Sequence, residues 1–577
     1  MRPECHLLIR YIRGPLRERL VSSLRFQLPR PDAATVRRFL ADPWLWAVLA
    51  VTVLAGFLRL YQLTDIPPGI HGDEAWAGIQ ANRILDEGWI GAYIRLGYGN
   101  QAGAVYWTVP FVETFGDTIL AIRLPMALIG VATIPLAYLA FAGMAGKKAG
   151  LIGAFLLAVS TWHIHMSRMA FVVISWPLME MATLAALFWA FRTKHVASFV
   201  LAGILLGLGT YSYNAYPLFA VGLYLMLAWA FVWGKPMPRR ELLRNVALMS
   251  IAAFIAALVL ISEATDSSSL LRNDDVRSGQ LIFNSPAYEE AETLLDRVDV
   301  VASRGWEYFR ALTWEANFDA SDGLGLTPIL DRLTVVLAIA GLAYMAVKWR
   351  RLGHVMVWLM ILIIPLAAIV TVQGMHRRTL GLVPFVSLAA AIPLAIAWEK
   401  ALKLNPPGRW VLLGVTVVLV GFIAQVNVVR YFDTFANSQE ASSVFAEDLT
   451  KASEYVADLP GEPYIYLYSQ RFLFGYETQR YLLPGSLGED RSMEHGEFSL
   501  EADQTKDVVF VFLSPYFDLL PQVEAQHPGG IAYEENGSDG GTLFRAYYLP
   551  KRQTQARSPT RGYHFGALER RPADGVN

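Results

Sequence analysis

Residues 66–74 read Ile66-Pro67-Pro68-Gly69-Ile70-His71-Gly72-Asp73-Glu74, just behind the first of many apolar stretches of membrane length. About 20 apolar residues suffice to cross a bilayer. Two adjacent carboxylates at the mouth of such a chain, on the non-cytoplasmic side, point to chemistry at a membrane surface. Pro67-Pro68-Gly69 reads as a tight turn. From Glu74 to about Glu87 the spacing of Trp76, Ile79 and Arg83, with Ala75 and Ile84, predicts a helix lying along the interface.

Working outward, the composition agrees with a membrane protein. Of 577 residues 54% are hydrophobic and 17% charged, where a soluble chain carries about a quarter charged. A formal charge of −1, with no basic stripe interleaved with aromatics, argues against nucleic-acid binding. The single cysteine, Cys5, excludes an intrachain disulfide and a cysteine metal cluster. No cleavable signal is expected, because the first apolar run begins near Pro43 and is too long for one.

The apolar runs predict about eleven spans, near 43–61, 118–142, 149–162, 170–191, 197–214, 216–233, 245–262, 328–347, 353–372, 379–399 and 409–429. Lys and Arg fall in alternate loops: Lys147-Lys148, Arg192 with Lys194, Lys235 with Arg239 and Arg240, Lys348 with Arg350 and Arg351, then Lys400 and Lys403. With eleven spans all of these lie on the side of the Arg-rich arm, residues 1–42. The positive-inside bias therefore puts the N-terminus in the cytoplasm and the C-terminal segment outside.

The transmembrane domain is expected over 43–430, with outer loops at 62–117 and 263–327. Further interfacial helices are expected at about 101–115 and within 286–318. Two more outer features are a short turn, Trp162-His163-Ile164-His165-Met166-Ser167-Arg168, and the segment Gln373-Gly374-Met375-His376-Arg377-Arg378. Residues 431–550 change character: a helix over 440–459, buried strands Tyr464–Tyr468 and Val508–Leu513, a turn at Asn536-Gly537 and a strand Thr542–Tyr548 predict a small extracytoplasmic α/β domain. The polar tail, 551–577, is predicted to be disordered. No internal repeat is evident, which weighs against an inverted-repeat transporter.

The candidate residues each read two ways. Asp73 suits a general base for an acceptor hydroxyl, or the N-cap of the following helix. Glu74 suits either the same chemistry or a first helical turn favoured by the macrodipole. Arg377-Arg378 defies the positive-inside bias; guanidinium groups there suit a lipid phosphate, or snorkel to headgroups. Arg168 has the same two readings. His163 and His165 have a His-x-His spacing that suits zinc, yet no third ligand stands nearby in sequence, which favours hydrogen-bonding histidines. Glu180, inside a span, is a functional flag or a polar contact between helices.

The chain resembles the GT-C membrane glycosyltransferases, in the family 39/83 group that holds bacterial relatives of protein O-mannosyltransferases and the lipid A aminoarabinose transferase. The resemblance covers about 45–400. It is carried by Pro67-Pro68-Gly69 with Asp73-Glu74-Ala75, Arg123-Leu124-Pro125, the run Ala158–Arg168, Gly207-Leu208-Gly209-Thr210-Tyr211-Ser212-Tyr213, and His376-Arg377-Arg378 followed by Pro384. It implies an inverting transfer from a polyprenyl-phosphate-linked sugar to a hydroxyl of a lipid, glycan or protein outside the membrane. Asp73 maps to the family's base, with Glu74 beside it. Arg377, Arg378, Arg168 and His376 are the implied donor-phosphate contacts; His163, His165, Arg123 and Tyr213 are further candidates for substrate. Many relatives carry an aromatic where Thr379 stands here. No cofactor is firmly implied: some GT-C enzymes use a divalent metal, the nearest group generally does not, and one acidic pair is evident. The rival readings are a transporter or flippase for a lipid-linked or anionic solute, and a non-catalytic glycan-assembly protein.

Overall fold

A computed structural model describes residues 37, 40–94, 100–266, 281–316, 319–372, 375–491, 499–537 and 540–551. Nearly all of the Arg-rich arm, the tail beyond Lys551, Arg95 and the Gln373-Gly374 pair lie outside the described residues. Among those described, eight helices are long and apolar enough to cross a membrane: Pro43–Leu60, Ile119–Ala145, Val172–Thr193, Pro217–Gly234, Arg239–Glu263, Leu352–Ile369, Arg377–Ala401 and Pro406–Phe435. Lys147–Val159 and Thr161–Arg168 form a pair bent by 55° that makes a ninth if counted as one span. Two shorter apolar helices, Val196–Gly209 and Arg332–Val347, occupy the remaining expected positions. The chain is a multi-pass membrane protein.

The expected outer turn at Trp162–Arg168 is instead the second half of that bent pair. Ser160 is extended, at φ −63° and ψ 120°, and breaks the helix; the eight residues after it are all buried. Helices approach closely where small residues face a neighbour's backbone, as lipid offers no hydrophobic drive between them. A Cβ on Gly203 would lie 2.1 Å from the Met249 carbonyl oxygen, so Val196–Gly209 packs directly on the Arg239–Asp266 helix.

One end of the bundle carries the basic loops, where Lys147 pairs with Asp42 at 3.7 Å and Lys148 with Glu399 at 3.8 Å. The opposite end carries the surface helices Gly72–Glu87, Gly103–Phe115 and Leu294–Thr313. On the last of these Leu294, Leu295, Val298 and Trp306 are exposed, as suits a helix resting on lipid.

Strands β1 (Tyr93–Ile94) and β2 (Asn100–Gln101) pair antiparallel between the first two long spans. The C-terminal unit has strands β3 (Tyr464–Tyr468), β4 (Gly488–Asp490), β5 (Val508–Phe512), β6 (Ile531–Asn536) and β7 (Thr542–Leu549), which form a five-stranded mixed sheet in the order β4-β3-β5-β7-β6. The central β5 runs parallel to β3 and antiparallel to β7, with Phe510 opposite Tyr466 and Tyr547. Every residue of β5 is buried: Val509 and Val511 pack with Leu449 and Val456, while Phe510 and Phe512 pack with Leu520 and Val523 on the other face. Burial on both faces explains the unbroken apolar run. The helix expected over 440–459 breaks into Gln439–Val444 and Glu447–Ala457, because Ala446 adopts φ 48°.

This unit is docked on the Gly72–Glu87 helix. Ile70 N donates to Thr450 Oγ1 at 3.1 Å, Thr478 Oγ1 donates to Ile70 O at 3.0 Å, and Tyr481 OH donates to Thr118 O at 3.0 Å. Gly69, at φ 71°, lies where a Cβ would meet Phe445 O at 2.4 Å. Only glycine fits both that backbone conformation and that approach.

Candidate active site at the membrane surface

Two buried arginines hold the segment that leads to the acidic pair. Arg123 donates to the carbonyls of Leu63, Pro67 and Gly69, at 3.3, 2.8 and 2.5 Å. Arg168 donates to those of Leu58, Gln62 and Ile66, at 3.1, 2.8 and 2.9 Å. A turn with so many carbonyls aimed inward needs donors in place of water, and these two side chains supply them.

Glu74 belongs to the same framework. Its carboxylate accepts from Arg123 Nε and Nη2 at 2.9 and 3.0 Å, from Ala170 N at 2.9 Å and from His71 N at 3.1 Å. Both partners of the Glu74–Arg123 pair are wholly buried. A carboxylate saturated in this way anchors the turn that carries Asp73. Arg168 and Arg123 are likewise committed to the framework and present no surface to a donor phosphate.

Asp73 is not the helix N-cap. His71 caps, its Nδ1 accepting from Asp73 N at 3.0 Å, and completes a capping box with Glu74. The Asp73 side chain therefore projects free of the helix end, 47% exposed, and meets Arg377 Nη1 at 2.8 Å through Oδ2. Burial pushes the Asp73 carboxyl up, but the charge of Arg377 and its hydrogen bond outweigh it and hold it below its ordinary value.

Arg377 is positioned by a residue that sequence reasoning missed. Asp322, almost fully buried, accepts from the main-chain N–H groups of His376 and Arg377 at 3.0 and 2.7 Å. The same carboxylate stands 3.4 Å from His376 Nδ1 and 3.9 Å from Arg377 Nε. Burial again raises the carboxyl, and His376 and Arg377 reverse this to leave it well below the usual range. Nothing in the local spacing of Asp322 set it apart from Asp319, which closes its own turn by accepting from Ser321 N at 2.9 Å. The Arg377 guanidinium also lies over the Phe171 ring, 4.7 Å from its centre.

Tyr213 joins this group. It stacks on Trp176 at 5.8 Å, and Trp176 Nε1 donates to Glu180 at 2.7 Å. Glu180 is thus a polar contact beneath the site. Burial raises the Tyr213 phenol, against the pull of Arg378 and Arg377 close by. His376 is fully buried, edge-on to Trp162 at 5.7 Å, and supports the site without facing solvent. His163 Nδ1 lies 2.8 Å from Arg59 Nη2, and His165 sits among the rings of Tyr431, Phe435 and Phe445. Both are packing histidines, and among the described residues no group of three His, Cys, Asp or Glu is arranged to hold a metal ion. The structure thus brings together Asp73, Arg377, Arg378 and Tyr213 and leaves His163, His165, Arg168 and Arg123 in the interior.

ArnT from Cupriavidus metallidurans in the apo state superposes on this architecture with a TM-score of 0.52, at 13% identity, over 88% of this chain and 97% of that one. The fold is that of the GT-C glycosyltransferases. The chain is also similar to the Archaeoglobus fulgidus oligosaccharyltransferase, at 15% identity and TM-score 0.46, over 88% and 74% of the two chains. The family described as dolichyl-phosphate-mannose-protein mannosyltransferase matches residues 103–262. That stretch contains Arg123, Arg168 and Tyr213 but neither Asp73 nor Arg377. A search of curated proteins by sequence finds no match.

Proposed function

We propose that the chain is a membrane glycosyltransferase that moves a sugar, with inversion, from a polyprenyl-phosphate donor to a hydroxyl acceptor at the outer face of the membrane. The observation that carries this is the Asp73–Arg377 pair: a half-exposed carboxylate and a guanidinium, brought from distant parts of a GT-C fold to one end of the helical bundle. The polyprenyl-phosphate form of the donor rests on the matched family, whose description names a dolichyl-phosphate sugar.

The acceptor oxygen bonds to the anomeric carbon as the bond from that carbon to the phosphate oxygen breaks. Asp73 takes the acceptor's proton, and the bonding pair leaves with the phosphate. A phosphate leaving group needs no acid, only cations for its growing charge. Arg377 and Arg378 supply them. Asp322 holds the main chain that carries Arg377, and Glu74 with Arg123 fixes the turn that carries Asp73. The prenyl tail lies in lipid between helices, so the membrane itself delivers the donor to the site.

In the resting structure Arg377 occupies Asp73. A donor phosphate competes for Arg377, and Asp73 becomes a stronger base as that contact is lost. The test uses protein purified in lipid, a set of radiolabelled polyprenyl-phosphate sugars, and membrane extract as acceptor. Transfer by the native chain that disappears in Asp73→Asn at equal folded yield supports the assignment; equal transfer by both removes Asp73 from the mechanism.

A further inference from the structure

The C-terminal unit places the Tyr476 side chain beside the candidate site. Tyr476 stands just before the Glu477–Leu482 helix. Its hydroxyl points at Gly72, the residue before Asp73, so closely that a Cβ there would lie 2.7 Å from the oxygen and 3.1 Å from the ring. Glycine at position 72 is what admits the phenol to this place. The ring is held from behind by Phe472 at 4.9 Å, and the Arg471 guanidinium lies over Phe472 at 4.7 Å.

Among the described residues the Tyr476 hydroxyl makes no hydrogen bond, although its main chain is fully engaged, donating to Leu473 O and accepting from Arg480 N. The side chain is partly exposed. Burial raises its phenol, and the negative charges of Glu477 and Asp73 nearby raise it further, so it is a neutral donor at physiological pH. An unused O–H donor therefore stands against the residue next to Asp73, where the charges of Glu477, Asp73 and Arg471 all reach it.

We infer that the acceptor binds where the Tyr476 hydroxyl meets Gly72-Asp73, and that Tyr476 donates a hydrogen bond to an acceptor oxygen next to the one Asp73 deprotonates. The inference rests on the transfer reaction proposed above. It gives the C-terminal unit a part in choosing the acceptor. It also specifies the acceptor's chemistry: two oxygens a few ångströms apart, as on neighbouring carbons of a sugar, and not a lone alkyl alcohol.

The experiment measures sugar transfer from a radiolabelled polyprenyl-phosphate sugar against increasing membrane extract, for the native chain, Tyr476→Phe and Tyr476→Leu. Binding of sugar-free polyprenyl phosphate is measured in parallel. Phenylalanine keeps the packing on Phe472 and removes only the oxygen. The expected result is a half-saturating extract concentration raised about five- to tenfold in Tyr476→Phe, the effect of one lost hydrogen bond, with polyprenyl-phosphate binding unchanged. Unchanged half-saturation in Tyr476→Phe overturns the inference, and a loss confined to Tyr476→Leu assigns Tyr476 to packing. A native chain that transfers no sugar overturns the proposed function and the inference with it.

Discussion

Arg377 Nη1 donates to Asp73 Oδ2 at 2.8 Å across 304 positions of sequence, and this contact ties the loop after the first span to the start of a late one. It joins a candidate base to a candidate phosphate ligand, so each sets the other's readiness. A base held below its ordinary pKa is deprotonated but weak. Removing the cation, by substrate or by mutation, changes both properties together.

The pH profile carries the first prediction. The base works as its anion, so activity falls as pH drops through the Asp73 value. Because Arg377 holds that value down, Arg377→Gln moves the acid limb of kcat/KM to higher pH. It also weakens binding of polyprenyl phosphate. Rate profiles between pH 4 and 8 check this; an acid limb unmoved in the variant separates Arg377 from the base.

The second prediction concerns Asp322. Asp322→Asn keeps an acceptor atom but removes the charge that faces His376 and Arg377. Polyprenyl-phosphate affinity falls about tenfold or more, in the range seen when a charged hydrogen-bond partner is lost. The carboxyl is depressed in the folded state. Its contribution to stability is therefore present above the unfolded value, about 3.9, and lost as pH falls through the folded one. Isothermal binding of polyprenyl phosphate and acid unfolding test the two halves.

Glu74→Gln leaves the buried Arg123 guanidinium without its counter-charge. Breaking a fully buried pair from one side costs about 3–5 kcal/mol, so thermal unfolding in detergent shifts markedly downward. Arg123→Met leaves Glu74 stranded and has the same sign. A near-native melting temperature in both single variants contradicts a framework role for the Glu74–Arg123 pair.

Gly78→Ala tests the docking of the C-terminal unit. A Cβ there would come within 2.2 Å of the Tyr481 ring, which is fully buried between that unit and the Gly72–Glu87 helix. Overpacking of this kind costs about 1–3 kcal/mol. The expected result is faster proteolytic cleavage between the Pro406–Phe435 helix and β3, with reduced transfer. Tyr481→Phe, which lacks only the bond to Thr118 O, has a smaller effect.

Much of the architecture follows from the chain itself. Apolar runs of bilayer length, broken by basic loops on alternate sides, define the spans because lipid admits only helices whose backbone groups are paired internally. The strands at Tyr464–Tyr468 and Val508–Leu513 were legible for a similar reason: apolar runs that short and β-branched suit a sheet buried on both faces. Asp73 stood out because its charged pair lies directly behind the first span, where a membrane surface would meet the chain. What sequence could not supply was the partner of each charge. Glu74 looked equivalent to its neighbour, and Arg168 looked equivalent to Arg377. Burial decided otherwise: a charge taken from water must be paired or saturated by hydrogen bonds, and the fold spends Glu74, Arg123 and Arg168 on that framework. It leaves Asp73 and Arg377 partly exposed. Asp322 and Tyr476 had no local signal at all, since their roles come from residues 55 and about 400 positions away. Local patterning thus determined which segments enter the membrane, and long-range packing alone decided which charges remain free to react.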